Sequence, residues 1–376
     1  MPLTRRWTCF FSILPALLLL AGCGRSRSAP VRIGISGPFN DSVGAPMHRA
    51  AELAAAEINA AGGINGRPLE LIYVSDYGEP DSAVNAAMEL IDSGVVAVVG
   101  HVYSGATLAS APVYNSARVV QISPSSSSPL VSTAGEYTFR VCPSDLQQGE
   151  ALARYAAERL SLRRGTILYL NDDYGRGMRQ TFAREFSRLG GEIEEMDPYL
   201  GDTPDVASYI ERLARRGSSQ FVFFGGYRGE AVTALQTARG RGLKLPFLGG
   251  DALEGLESSG SLAEGTYISN AYMASFDTPR NREFVSAYQK RYPSASAPNQ
   301  PAAATYDILF MLRDVLKQGT RRGSPLRAAI AAIGNSAPAF SGVTGDIAFD
   351  EVGDVPRQRV VIGRVEGGQV RAVEGL

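Results

Sequence analysis

Histidine is nearly absent from this chain, with two in 376 residues, His48 and His101. The sequence also lacks a Gly-x-Ser-x-Gly elbow and a His-Glu-x-x-His pair, so ordinary hydrolase and zinc chemistry have little to stand on. A hydrolase would have to draw on His101 and Ser104, the one candidate pair, and sequence neighbours at a strand end often diverge. An excess of one charge is missing too. With 37 basic and 38 acidic residues the net charge is -1, and no whole-chain field draws in nucleic acid or an anionic membrane. The apolar run at residues 9–20 is too short and too early for a membrane span.

Arg5 and Arg6 precede that run, which gives residues 1–22 the layout of a secretory signal peptide. The run closes on Leu20-Ala21-Gly22-Cys23, which resembles the lipobox of bacterial lipoproteins. That resemblance implies cleavage before Cys23 and diacylglyceryl attachment to its sulfur, with residues 23–30 as a lipidated tether; a signal with an incidental cysteine is the alternative. Gly24 is not the aspartate that favours inner-membrane retention in enterics, so in a Gram-negative host the outer membrane stays open. Of the three cysteines, Cys9 leaves with the signal and Cys23 is expected to carry lipid. Cys142 then has no partner, and no internal disulfide is expected.

The remaining chain is long enough for two compact lobes. Its pattern alternates strand and helix, with strands expected over 31–35 and 69–75, helices over 46–61 and 80–92, and two further strands near 95–99 and 119–122. A second series starts after Arg140-Val141-Cys142-Pro143, with helices over 146–160, 177–189, 205–215 and 230–239 between strands over 166–170, 192–196, 221–225, 247–249 and 266–271. This is α/β winding around mostly parallel sheets, and two similar series imply two lobes. The tail has helices over 282–292 and 302–317 but too few strands for a sheet of its own, so it is expected to join the existing lobes.

Two neighbouring units repeat one design, an apolar strand ending in small hydroxyl residues. One ends in Gly100-His101-Val102-Tyr103-Ser104, the other in Ser123-Pro124-Ser125-Ser126-Ser127-Ser128. Either loop alone reads as a strand-to-helix turn with capping serines. Neighbouring parallel strands, however, deliver such loops to one crevice, where hydroxyls and free N–H groups hold an anion such as a carboxylate.

In the second series, Tyr174, Tyr227 and Asp251 each follow a strand and should face the same crevice. The tyrosines also fit half-buried packing. A carboxylate after Gly249-Gly250 would lose water when a cleft closes, and a cationic ligand group would offset that cost. The loop Asn171-Asp172-Asp173-Tyr174-Gly175-Arg176-Gly177 lacks the third glycine of a dinucleotide fingerprint, Gln180 standing there. Asp172 and Asp173 fit helix capping better than magnesium binding. Thr107 and Asn115 are expected at the surface only. One lobe thus offers donors for an anion and the other an acid with two aromatics, which suits a zwitterion such as an α-amino acid gripped by hinge closure.

Over essentially all of its mature length the chain resembles the periplasmic leucine/isoleucine/valine-binding proteins that serve ABC importers. The resemblance rests on Ile33-Gly34-Ile35-Ser36-Gly37-Pro38, Glu57-Ile58-Asn59-Ala60-Ala61-Gly62-Gly63-Ile64-Asn65-Gly66, Gly100-His101 with Ser104, and Arg140. It extends to Asp145-Leu146-Gln147-Gln148-Gly149, Asp173-Tyr174-Gly175, Gly225-Gly226-Tyr227 and Ala304-Thr305-Tyr306-Asp307. It implies two similar three-layer Rossmann-like lobes joined by three crossovers, residues 31–142 with 273–342 and residues 143–272 with 343–376. Ser104 and Ser127 then match the hydroxyls that take a ligand carboxylate, and Ser125 a carbonyl turned toward the ammonium. Tyr174 and Tyr227 match the aromatics of the second lobe, and Asp251 the acid for the ammonium, where the leucine binder has glutamate.

The chain departs from the family in two places. Ser42-Val43-Gly44-Ala45-Pro46 replaces the usual Tyr-Gly before the first helix, altering one side of the side-chain pocket. Gly78 and Tyr103 stand where the leucine binder has a disulfide, and Tyr103 is placed to fill or narrow the pocket. The resemblance implies a monomeric, non-enzymatic protein without metal or cofactor, periplasmic or at the cell surface, held to the membrane only by its lipid and passing a small zwitterion (amino acid or amide) to an ABC permease. A sensing lipoprotein of the same fold, uncoupled from transport, is the rival.

Overall fold

The computed structural model describes residues 29–201, 205–320 and 322–373, so the leader and the Cys23 attachment point lie outside the described residues. The first lobe begins with Val31–Gly37 (β1), Gly44–Ala60 (α1), Leu69–Ser75 (β2), Pro80–Asp92 (α2), Ala97–Val99 (β3), Ser104–Ala117 (α3), Val120–Ser123 (β4) and Thr138–Arg140 (β5). Its sheet runs β2-β1-β3-β4-β5, every pair parallel. Parallel neighbours need crossover helices, and these cover both faces, which is why β3 is apolar without alternation and why even Gln121 and Ser123 of β4 are buried. The apolar spacing of Met47, Ala50, Ala54, Ile58 and Ala61 predicts one helix face; the first four are buried on α1, whereas Ala61 lies just past its end and is exposed.

The second lobe opens at Asp145–Arg154 (α4), where the Ser144 amide donates to Gln147 Oε1 at 3.0 Å as half of a capping box. It continues through Arg164–Leu170 (β6), Asp173–Arg188 (α5), Glu192–Tyr199 (β7), Val206–Arg216 (α6), Val222–Gly225 (β8), Arg228–Gly240 (α7), Phe247–Gly249 (β9) and Tyr267–Asn270 (β10). The chain then returns to the first lobe as Pro279–Arg291 (α8), Gln300–Lys317 (α9), Ser324–Ala331 (α10) and the small ribbon of Phe340–Ser341 (β11) with Asp346–Ile347 (β12). Val361–Glu366 (β13) and Gln369–Ala372 (β14) end the second sheet, whose order is β14-β13-β10-β9-β8-β6-β7. Only the β10–β13 and β13–β14 pairs are antiparallel there.

The chain therefore crosses between lobes three times. The first two crossings fall after Arg140 and near Tyr272, whose ring packs with Ala50, Leu53 and Phe284 in the first lobe. The third is later than the family pattern implied. Ile347, Phe349 and Val355, assigned by residue number to the second lobe, complete the core of the first, with Phe349 edge-on to Phe139 at 5.2 Å between centroids. These apolar side chains cover β5, which is otherwise an open sheet edge, and the Arg140 amide donates to Gly353 O at 3.1 Å. The passage back lies between Val355 and Val361.

Candidate functional site

The two sheets present their carboxyl ends to one cleft of about 760 Å³, lined from the first lobe by Tyr103, Ser104, Ser125 and Ser127 and from the second by Tyr174, Tyr227 and Asp251. All seven residues singled out in the sequence thus meet in one place. The reason is topological. β3 and β4 are neighbours, so their hydroxyl loops lie side by side, and β6, β8 and β9 are neighbours, so Tyr174, Tyr227 and Asp251 follow in order along the opposite edge.

Ser104 is the first residue of α3, where helix N–H groups lack intrahelical acceptors. Its Oγ accepts the Ser128 amide at 3.2 Å, which ties the two loops together and leaves the hydroxyl proton free to donate. The serine loop itself is held from below. Ser123 Oγ accepts the amides of Ser125 and Ser126 at 3.2 and 2.8 Å, and Arg140, wholly buried, donates to the carbonyls of Ser127 and Ser128 at 3.0 and 2.8 Å. The same guanidinium pairs with Asp354 at 2.5 Å. Sequence reasoning gave Arg140 no task in the site. A lone arginine closing an apolar strand was the available signal, since a buried charge requires a partner.

Across the cleft, Asp172 Oδ1 caps α5 by accepting the Gly175 amide at 2.7 Å, so the helix starts at Asp173, four residues before the expected Gly177. Tyr174 therefore projects from a helical first turn rather than a loop. Its ring stacks on Tyr227 at 5.5 Å, and Tyr227 OH donates to Asp172 Oδ2 at 3.1 Å. Asp251 Oδ2 accepts Gln148 Nε2 at 3.0 Å, while Gln148 Oε1 accepts Ser269 Oγ at 2.7 Å. Burial pushes the Asp251 carboxyl up to about 6, with the Gln148 and Tyr174 donors opposing the shift. Beneath it, burial drives the Asp145 carboxyl well above the usual carboxylate range, the Asp251 charge adding to the effect and the Ser127 hydroxyl opposing it.

Tyr103 forms part of the wall. Its hydroxyl donates to Asp41 Oδ2 at 2.7 Å, and its ring meets Tyr227 edge-on at 5.1 Å. A Cβ on Gly78, whose φ is +78°, would sit 2.7 Å from this ring, so glycine there makes the room Tyr103 occupies. Asp41 also accepts the Val43 and Gly44 amides at 2.8 and 2.6 Å, fixing the loop that replaces the family's Tyr-Gly. Ser42 in that loop accepts Arg228 Nη2 from the second lobe at 2.7 Å.

His101 does not serve Ser104. Its Nδ1 is 2.6 Å from Asp76 Oδ2 with both side chains buried, and its Nε2 faces Tyr114 OH at 3.4 Å. Thr107, expected at the surface, is also fully buried and bonds to Ser126 Oγ at 2.7 Å. Its place one turn into α3, directly under the serine loop, explains the difference. Asn115 is partly buried too, its amide donating to Ala111 O and Ala134 O at 2.8 and 3.2 Å.

Two α/β lobes, three crossings and a cleft between the sheet ends with polar groups from both sides define a two-lobed solute-binding protein. Residues 30–369 match the periplasmic binding protein family, and the chain belongs to it; the curated relatives it resembles include a Leu/Ile/Val-binding protein homologue of Brucella melitensis. The chain is 28% identical over 361 residues to the leucine-, isoleucine-, valine-, threonine- and alanine-binding protein of Pseudomonas aeruginosa, covering 93% of this chain and 94% of that one. Among solved structures, the branched-chain amino acid transporter substrate-binding protein of Streptococcus pneumoniae in complex with isoleucine superposes with a TM-score of 0.83 at 25% identity, covering 92% and 99% of the two chains. A solute-binding protein of an ABC transporter from Rhodopseudomonas palustris, in complex with 3,4-dihydroxybenzoic acid, gives 0.81 at 25% identity, covering 92% and 96%. The family works outside the cytoplasm.

Proposed function

We propose that the protein captures an α-amino acid or a close zwitterionic analogue by closing its lobes, and hands it to an ABC importer while held to the membrane through lipid on Cys23. The observation that carries this is the opposition, in one cleft, of the Ser104–Ser127 hydroxyls and the α3 N-terminus on one lobe to Asp251 on the other. A carboxylate suits the first side, where N–H groups and a hydroxyl proton are free and the helix dipole favours negative charge. An ammonium suits the second, because Asp251 is short of counter-charge: its neighbours are donors of neutral type and another acid, Asp145. The Ser125 carbonyl edge completes the acceptor side. No covalent step is assigned; His101 is occupied by Asp76 and Tyr114 and leaves Ser104 without a base.

A thermal-shift screen of residues 24–376 against amino acids, amides and simple carboxylates tests this. A ligand at a hundredfold excess over its Kd stabilises by about 2.7 kcal/mol. Shifts from zwitterions support it, and shifts from simple carboxylates alone, in the manner of the benzoate-type relative, refute it.

A further inference from the structure

The second lobe's sheet edge changes character along its length. Tyr174 and Tyr227 follow β6 and β8, but past Asp251 the lining turns to acceptors, with Glu254 and Glu257 in the segment after β9 and Asn270 at the end of β10. Asn270 is 2% exposed and its Oδ1 has no hydrogen-bond partner. Glu257 Oε2 is likewise shut off from solvent and unpartnered. Glu254, by contrast, reaches the first lobe, where both its oxygens accept the Gln300 amide at the start of α9, at 3.2 and 3.1 Å. Two arginines, Arg49 and Arg228, also line the cleft, but among the described residues neither forms an ion pair with these acids, and Arg228 is turned to Ser42. No group of three or more acidic or metal-ligating side chains is placed to hold a metal ion among the described residues.

The aliphatic lining of the cleft is limited, among the described residues, to Val43, Val102, Met273 and Val370 beside small Ala and Pro residues. Among the described residues lining the cleft there is no Leu, Ile, Phe or Trp, and the stretch from Ser294 to Asn299 contributes small and polar groups. Buried acceptors without donors are costly, and a ligand that supplies the donors removes that cost. We infer that the ligand carries a second cationic, donor-rich group on its side chain, an amine or guanidine, which Glu257 and Asn270 take up while Asp251 holds the α-ammonium. This rests on the amino-acid reading given under Proposed function and names its side-chain class.

The test is calorimetric titration of residues 24–376 with L-lysine, L-ornithine and L-arginine against L-norleucine, which is lysine without its side-chain amine, and L-leucine. At least one of the three basic amino acids should bind tenfold or more tightly than norleucine. Glu257→Gln should shrink that gap to threefold or less with norleucine unchanged, and Asn270→Ala, which leaves Glu257 in place, should narrow it in part. Norleucine or leucine binding as tightly as every basic amino acid would overturn the inference and leave the amino-acid reading standing. A preference for basic amino acids that survives both substitutions would overturn the assigned residues. Failure of every amino acid to bind would overturn both readings.

Discussion

Tyr103 of the first lobe meets Tyr227 of the second edge-on, their ring centroids 5.1 Å apart, and this contact bridges the mouth of the cleft. Such a pair contributes about 0.5–1.5 kcal/mol beyond the area it buries. It exists only when the lobes are together, so Tyr103→Ala should weaken ligand binding several-fold to about tenfold, mainly through faster dissociation. Stopped-flow dissociation rates check this; an unchanged rate would mean the rings do not help hold the closed form.

Asp251 should discriminate between an amino acid and its deaminated acid. A charge-assisted hydrogen bond is worth about 1.5–3 kcal/mol, so Asp251→Asn should weaken the amino acid by about 10- to 100-fold and the deaminated acid far less. The carboxyl sits at about 6, so amino-acid affinity should also fall as pH drops below that value, where the ammonium would meet a neutral acid. Titrations at pH 5 and pH 8 check the second point.

Arg140 holds the serine loop to Asp354, and removing one partner of a buried pair strands the other. Arg140→Ala should cost about 3–5 kcal/mol and lower Tm by on the order of 10 °C. Arg140→Lys keeps the charge but not the fork that bonds two carbonyls and a carboxylate, so it should recover only part of the loss. Thermal melts of both variants read this directly.

Glu254 makes stability depend on pH. Burial lifts its carboxyl from 4.5 to about 8, with the charges of Glu257 and Asp251 adding and the Gln300 amide opposing. The folded protein holds this proton more tightly than the unfolded chain, so the associated stability is present below about pH 4.5 and is lost as pH rises toward 8. Glu254→Gln, which can still accept the Gln300 amide, should raise Tm at pH 8 and leave it nearly unchanged at pH 4.5.

What was legible in the sequence lay where local pattern and sheet topology agree. Strand ends announce themselves by an apolar run stopped by small residues, and parallel winding sends neighbouring ends to one crevice, so Ser104, Ser127, Tyr174, Tyr227 and Asp251 were readable together. Partners set by distant chain were not. Arg140 and Asp354 stand 214 residues apart, and Glu254 reaches a helix start 46 residues on. The third crossing was misplaced for the same reason, since Phe349 and Val355 look like any short apolar segment until β5 is seen to need cover. Thr107 misled because a hydroxyl in a helix usually faces water, whereas here the serine loop above it supplies Ser126 as partner.

The most direct measurement is calorimetry on residues 24–376 with one amino acid that stabilises the protein, alongside its deaminated acid and its decarboxylated amine. Saturable one-to-one binding of the amino acid, with both analogues at least tenfold weaker, is the expected result. Equal binding of the deaminated acid would contradict a cleft that grips carboxylate and ammonium from opposite lobes.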